Sequence, residues 1–338
     1  FNSAISNANQ AIQIGVSTSA TSISYLNIVA DTISVDFVDG QSGSGGAIFV
    51  LGDGKFEGTL KINTLNSWFY GFYNRTVTSF SNPSDFKLRV DIDTTNTDSY
   101  AIRNINFIGD GFYNIGNSAM SGGFYQCQGA TNGTTTLNAN IFNVTNSTAS
   151  AFDINSTLDN TTISNGNIFT NLTSGGGRRI LLSRSTNNTT FFNSKITYDG
   201  VTSTTQKMFD VWGGVLNLET TVSGSFSNRI INNRNGKVLL SNCNFNPTVT
   251  GSTLLGNDVT TSTGTTSIRN STIILDNSTT DLCDGQYLNT YILNSNIKNN
   301  GTSDIFTNST NTGLLQINNS NLVTNGSNTI NISGNSPL

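Results

Sequence analysis

Histidine is absent from all 338 residues of the chain. That excludes Ser–His–Asp and Cys–His nucleophile systems, histidine-ligated metals and the commonest general base. Glutamate is nearly missing too, with Glu57 and Glu219 alone, so carboxylate chemistry would fall to aspartates. Charged residues make up 11% of the chain, against about a quarter in ordinary domains. The net charge is −4, and Arg178–Arg179 is the only adjacent basic pair. A nucleic-acid partner needs a concentrated basic face, which this distribution does not offer. Cys127, Cys243 and Cys283 are odd in number and widely spaced, fitting neither a disulfide framework nor a zinc pattern. No apolar run approaches the ~20 residues of a membrane span. The first residue is Phe1 rather than Met, which reads as a removed leader or as a fragment.

Gly, Ser, Thr and Asn take the place of charge. Even so, 35% hydrophobic residues, with 20 Phe and 9 Tyr, is too apolar for disorder. The apolar residues must be spread thinly along a repetitive core. The repeat is visible in one phrase, apolar–x–Asn–small–x–apolar. It reads IRNSTI at Ile268–Ile273, ILNSNI at Ile292–Ile297 and INNSNL at Ile317–Leu322. Earlier copies are LSNCNF at Leu240–Phe245, FFNSKI at Phe191–Ile196 and ISNGNI at Ile163–Ile168, with looser ones from Val215, Thr136 and Ile102. The shared residues are Asn104, Asn138, Asn165, Asn193, Asn217, Asn242, Asn270, Asn294 and Asn319, recurring about every 25 residues. Such a period signals a repeat architecture.

Between Asn294 and Asn319 the apolar seeds are Ile297, then Ile305–Phe306, then Leu314, Leu315 and Ile317. Turn-forming stretches NNGTSD and TNSTNTG separate them. Three short strands in about 25 residues make one coil of a parallel β-helix, each strand pairing with its equivalents ~4.8 Å above and below. The Asn suits a sharp corner because it tolerates the left-handed conformation. Stacked Asn amides can also hydrogen-bond as a ladder. Cys243 takes the small-residue slot after the Asn and reads as a packed residue rather than a reactive thiol. A second column, six residues after the Asn, holds Asp110, Asn171, Asp199, Asp276, Asn300 and Asn325 and reads as the next corner.

This Asn-corner phrase, from Ile102 to Ile332, resembles the right-handed parallel β-helix (pectate-lyase-like) superfamily. That superfamily includes polysaccharide lyases, phage tailspikes and bacterial surface adhesins. The stretch SGSGGAIFVLGDG at 42–54 is similar to the Gly-Gly-Ala-Ile phrase of β-helical outer-surface proteins. The resemblance implies an all-β, right-handed solenoid with an Asn-rich corner ladder; right-handedness also follows the prevailing crossover rule. It says little about activity.

Residues 1–100 do not keep the register. They read as an N-terminal cap with irregular first coils, ahead of a regular β-helix of about nine coils over 101–338. Ser3 as N-cap and Gly15 as stop suggest a short amphipathic cap over 3–15. The stretch 66–76 reads as an aromatic excursion, in which Trp68, Phe69, Tyr70, Phe72 and Tyr73 form either a sugar or partner platform or a plug for the solenoid. The last coil begins at Asn319 and reads as an uncovered strand edge, a truncation point or an assembly surface. Asn-x-Ser/Thr sequons are frequent and include Asn74, Asn132, Asn143, Asn188, Asn277 and Asn331 as candidate glycosylation sites. This composition yields such sequons by chance, so they carry little.

Catalytic vocabulary is thin. Asp91 and Asp93, and likewise Asp281 and Asp284, read as polar residues at turns. By the family resemblance, pectate-lyase elimination would need a calcium-binding carboxylate cluster and a base, for which Asp153, Asp199 and Arg178 or Arg179 are candidates. The expectation is therefore a non-catalytic extracellular structural or adhesive β-solenoid, part of a sheath, filament, layer or adhesin. Self-association and surface polysaccharide are its expected partners. It would have no metal and no cofactor, with Ca2+ the one ion kept open. The alternatives are a tailspike domain that binds surface glycan and a polysaccharide lyase.

Overall fold

The computed structural model describes strand backbones between Asn2 and Ile332, and side chains within parts of 152–162 and 179–326. The described residues are all-β, and no helix occurs among them. The chain falls into two compact units, Phe1–Asn171 and Leu172–Leu338.

In the first unit, Asn2–Ser6, Ser24–Val38, Gly52–Thr64 and Phe86–Thr94 stack in parallel, in that order. A second sheet runs Gln10–Ile14, Gly45–Val50, Phe69–Asn74, Ile102–Arg103, Tyr125–Gln128, Phe152–Asn155. A third joins Ile108–Asn114, Thr134–Phe142 and Asn160–Ser164. Two expectations change here. The segment 3–15 forms strands Asn2–Ser6 and Gln10–Ile14, not a cap of its own. In QAIQI the apolar Ile12 and Ile14 alternate with period two, and the Gly45–Val50 strand supplies the hydrogen-bonding edge. Phe69–Asn74 is likewise a paired strand within the stack rather than an excursion from it.

In the second unit each coil contributes to three walls, and in the first two coils one long strand serves both the second and the third. The first wall stacks Leu181–Ser183, Lys207–Val211, Arg229–Asn233, Leu255–Gly256, Cys283–Asp284, Phe306–Asn308 and Ile330–Ile332. The second stacks the opening halves of Asn188–Gly200 and Val215–Phe226, then Lys237–Ser241, Thr265–Arg269, Asn289–Leu293 and Leu315–Asn318. The third wall continues from the closing halves of those two long strands through Asn244–Val249, Thr272–Leu275, Asn296–Asn299 and Asn321–Thr324.

The core is read in columns. On the first wall Leu181, Phe209, Ile231 and Leu255 pair in succession and are buried. On the second, Leu218, Leu240, Ile268 and Ile292 do the same. On the third, Ile196, Val222, Phe245, Ile273 and Ile297 follow suit. Phe191 and Phe209 meet edge-to-face, centroids 5.6 Å apart. Each such side chain contributes about 1.5–3 kcal/mol by leaving water, and it can do so only because another coil lies above or below.

The Asn phrase turns the chain from the second wall to the third. Asn193, Asn242, Asn270, Asn294 and Asn319 have φ of 46°, 54°, 48°, 49° and 46°. Outside the corner, Asn294 Nδ2 donates to Asn270 Oδ1 at 3.4 Å, and Asn319 Nδ2 to Asn294 Oδ1 at 2.8 Å. Inside it runs a hydroxyl column. The amides of Cys243, Ser271 and Ser295 donate to the Oγ of Ser271, Ser295 and Ser320 at 3.1, 3.2 and 3.1 Å. Each rung is offset by 24 to 28 residues.

Asn217 is not a left-handed corner. Asn217 lies within Val215–Phe226, opposite Leu239, and its Nδ2 donates to Thr190 Oγ1 at 3.2 Å. In this coil the chain passes the corner as Glu219–Thr220, opposite Phe192 and Ser194, which leaves Asn193 as the extra residue. The phrase VLNLET therefore lacks the inserted residue that demands a left-handed conformation. Asn138 is mid-strand, opposite Asp110. Asn104 and Asn165 lie outside the described residues.

Candidate binding surface on the second wall

Residues that alternate with the buried Leu218–Leu240–Ile268–Ile292 column face the other side of the second wall. They stack in register as three outward columns. One is Lys237, Thr265 and Asn289; the next is Leu239, Ser267, Tyr291 and Gln316; the last is Ser241, Arg269, Leu293 and Asn318. Between them lies a cleft of about 390 Å3 lined by Lys237, Thr265, Ser267, Arg269, Tyr291, Ile292, Leu293, Gln316 and Asn318. That volume sits in the range of ligand clefts, ~300–1,000 Å3. Arg269 Nε donates to Ser267 Oγ at 3.1 Å, which fixes the plane of its guanidinium. Lys237 and Arg269 are exposed, and neither has a carboxylate partner among the described residues. The strands beneath are locked by parallel ladders, so the cleft is pre-formed rather than assembled by a loop.

A second polar assembly is built on the first wall around Asp210, whose side chain is 0% exposed. Arg179 Nε donates to its Oδ2 at 2.6 Å, and Asn232 Nδ2 donates to its Oδ1 at 2.6 Å. Lys207 Nζ and Arg234 Nε stand 3.9 Å from the carboxylate. Arg234 also lies over Trp212, 4.2 Å from the ring centroid, and Arg184 lies 5.5 Å from it. A buried carboxylate is tolerable only when paired and hydrogen-bonded. Here it draws partners from three successive coils and ties them together. Asn233 does similar work at the neighbouring corner. Its Nδ2 donates to Thr265 O at 3.1 Å and to Thr266 Oγ1 at 3.2 Å, and its Oδ1 accepts from Gly236 N at 3.0 Å.

Several residues singled out in the sequence can be placed. Arg179, a candidate base, is engaged by Asp210. Asp199 sits in Asn188–Gly200 opposite Ser225, and Asp153 in Phe152–Asn155 opposite Gln126. Asp91 and Asp93 pair with Lys61 and Asn63, and Asp284 with Thr307. Among the described residues, no three His, Cys, Asp or Glu side chains converge as a metal site would require. Phe69, Tyr70, Phe72 and Tyr73 pair with Gly45, Gly46, Ile48 and Phe49. Asn188 opens its strand and is exposed, Asn74 ends one, and Asn331 lies within Ile330–Ile332. Trp68, Asn132, Asn143, Asn277, Arg178 and Asp281 lie outside the described residues. Cys243 is buried, and burial pushes its thiol up to about 11; its Sγ donates to Leu218 O at 3.1 Å.

Sequence reasoning missed both the cleft and the Asp210 assembly. Their signal exists only in columns. Lys237, Arg269, Tyr291 and the Gln316–Asn318 strand are distant along the chain and become neighbours once the coils are registered. No family model matches the chain, and no curated protein or solved structure matches it. The described architecture is a parallel β-solenoid with coils of about 25 residues and Asn ladders.

Proposed function

We propose that this chain is a non-catalytic, extracellular structural or adhesive β-solenoid, a surface-type member of the right-handed parallel β-helix superfamily. It works by geometry, through its side walls and through association with further copies. The observation that carries this reading is the second wall. Its outward side chains are set by ladder register into a rigid face with a pre-formed cleft, and the groups on that face suit binding. Hydroxyls and amides supply hydrogen bonds, Tyr291 an aromatic face, and Lys237 and Arg269 charge. The cleft also favours a second reading, a tailspike domain that holds surface glycan.

Negative-stain electron microscopy of the full chain, with and without calcium, tests the reading. Fibres or sheets are expected. Discrete trimers would transfer it to the tailspike class. Cleavage of a polysaccharide that calcium switches on would overturn the non-catalytic assignment altogether.

A further inference from the structure

The cleft on the second wall is specific about chemistry. Register places Arg269 four residues further along the strand direction than Lys237, and one coil on. At about 3.3 Å per residue and ~4.8 Å per coil, their Cα atoms stand roughly 14 Å apart. The two cations thus flank the cleft at opposite ends. Tyr291 lies between them along the strand, two residues from either column, with Ser267 and Gln316 as its register partners. An aromatic ring offers an apolar face to the C–H face of a pyranose. Gln316, Asn318 and Thr265 offer donors and acceptors suited to sugar hydroxyls.

We infer that this cleft binds a linear acidic polysaccharide. One sugar stacks on Tyr291, and carboxylate or sulfate groups on sugars to either side meet Lys237 and Arg269. Arg269, with its guanidinium plane set by Ser267, presents its terminal nitrogens to one acid as a fork, while Lys237 acts on the other as a point charge. The inference rests on the adhesive reading and names its ligand class.

The test is titration calorimetry of the full chain at low and at physiological salt. The probes are octasaccharides of polygalacturonate, alginate and hyaluronan, with neutral cello-octaose and poly-glutamate for comparison. At least one acidic octasaccharide should bind, more weakly as salt rises. Lys237→Gln and Arg269→Gln should each weaken it about fivefold, the size expected for one exposed ion pair. Tyr291→Ala should weaken it about tenfold. Asn217→Ala, on the same wall outside the cleft lining, should leave it unchanged and controls for folding. Equal binding of cello-octaose would overturn the charge assignment, and equal binding of poly-glutamate would overturn the sugar assignment. Silence from all three acidic probes, or binding unaltered in the Lys237→Gln/Arg269→Gln double variant, would overturn the site. Fibres or sheets by microscopy would still stand in that case, so the two failures are separable.

Discussion

Arg179 and Asp210 belong to successive coils of the solenoid, and the guanidinium Nε meets the buried carboxylate at 2.6 Å. Asn232, on the coil beyond, closes the other oxygen at the same distance. One carboxylate therefore spans three coils, in a chain where charge is rare. Removing the buried carboxylate takes the shared counter-charge from Arg179, Lys207 and Arg234, whereas removing Arg179 leaves a carboxylate still held by Asn232. Asp210→Asn is expected to destabilise the protein by about 2–4 kcal/mol, given ~1.5–3 kcal/mol for each hydrogen bond to a charged group. Arg179→Met should cost less, about 1–2 kcal/mol, since Arg179 is 19% exposed. Urea midpoints of the full chain measure both. A midpoint unchanged in Asp210→Asn would show that the ion centre does not hold the coils together.

Asn294 has a backbone job and a side-chain job, and two substitutions separate them. At φ 49° an alanine pays about 1–2 kcal/mol for the left-handed conformation, while glycine adopts it freely. Both lose the amide that bridges Asn270 and Asn319, an exposed contribution of about 0.5 kcal/mol. Asn294→Ala should thus be about 1–2 kcal/mol less stable than Asn294→Gly by denaturation. Equal losses in the two variants would mean that the ladder, not the corner, explains the residue.

Cys243 gives a pH dependence. Its thiol is pushed from 9.0 to about 11, chiefly by burial. The folded state holds the proton more tightly than the unfolded one, so this stability is complete below pH 9 and drains as pH rises towards 11. A shift of that size corresponds to about 2–3 kcal/mol. Cys243→Ser fits the hydroxyl column that Ser271 and Ser295 already form and should remove this alkaline loss. Stability of wild type and variant from pH 8 to 11 checks it, and parallel curves would refute it. In the native protein, the Cys243 peptide should resist alkylation at pH 8 and label on unfolding.

The coil, its length and its three strands were legible because each rests on local chemistry: turn residues at fixed offsets, apolar seeds between them, an Asn where φ turns positive. The exceptions are instructive. VLNLET matches the phrase at Asn217 but carries no inserted residue at the corner, and only its register against Phe192 and Ser194 reveals this. The segment 3–15 carries cap-like end residues, yet the edge of Gly45–Val50 draws its second half into a sheet. The cleft and the Asp210 centre were invisible for one reason. Their members come from different coils, about 22 to 31 residues apart in the Asp210 contacts, and meet only through the exact pairing of coils, which no spacing in one repeat discloses.

The corner between the first and second walls is made of close-packed glycines, which yields a last expectation. Lys237 N donates to Gly214 O and Thr265 N to Gly236 O, so Gly214, Gly236 and Gly264 stack coil upon coil. A Cβ on Gly236 would strike Val211 Cγ1. One on Gly264 would lie 2.7 Å from Asn233 Oδ1 and 2.8 Å from its Cγ. Asn233 is fully buried and satisfies Gly236 N, Thr265 O and Thr266 Oγ1, so it cannot retreat without stranding them. Gly264→Ala should therefore cost about 2–4 kcal/mol, as overpacking together with lost buried hydrogen bonds. Asn233→Ala should cost a similar amount by breaking the same bonds. Because the two changes damage one network, the double variant should lose clearly less than their sum, by at least about 1 kcal/mol in a thermodynamic cycle. Strict additivity would mean that the glycine column and the Asn233 network stabilise the corner independently.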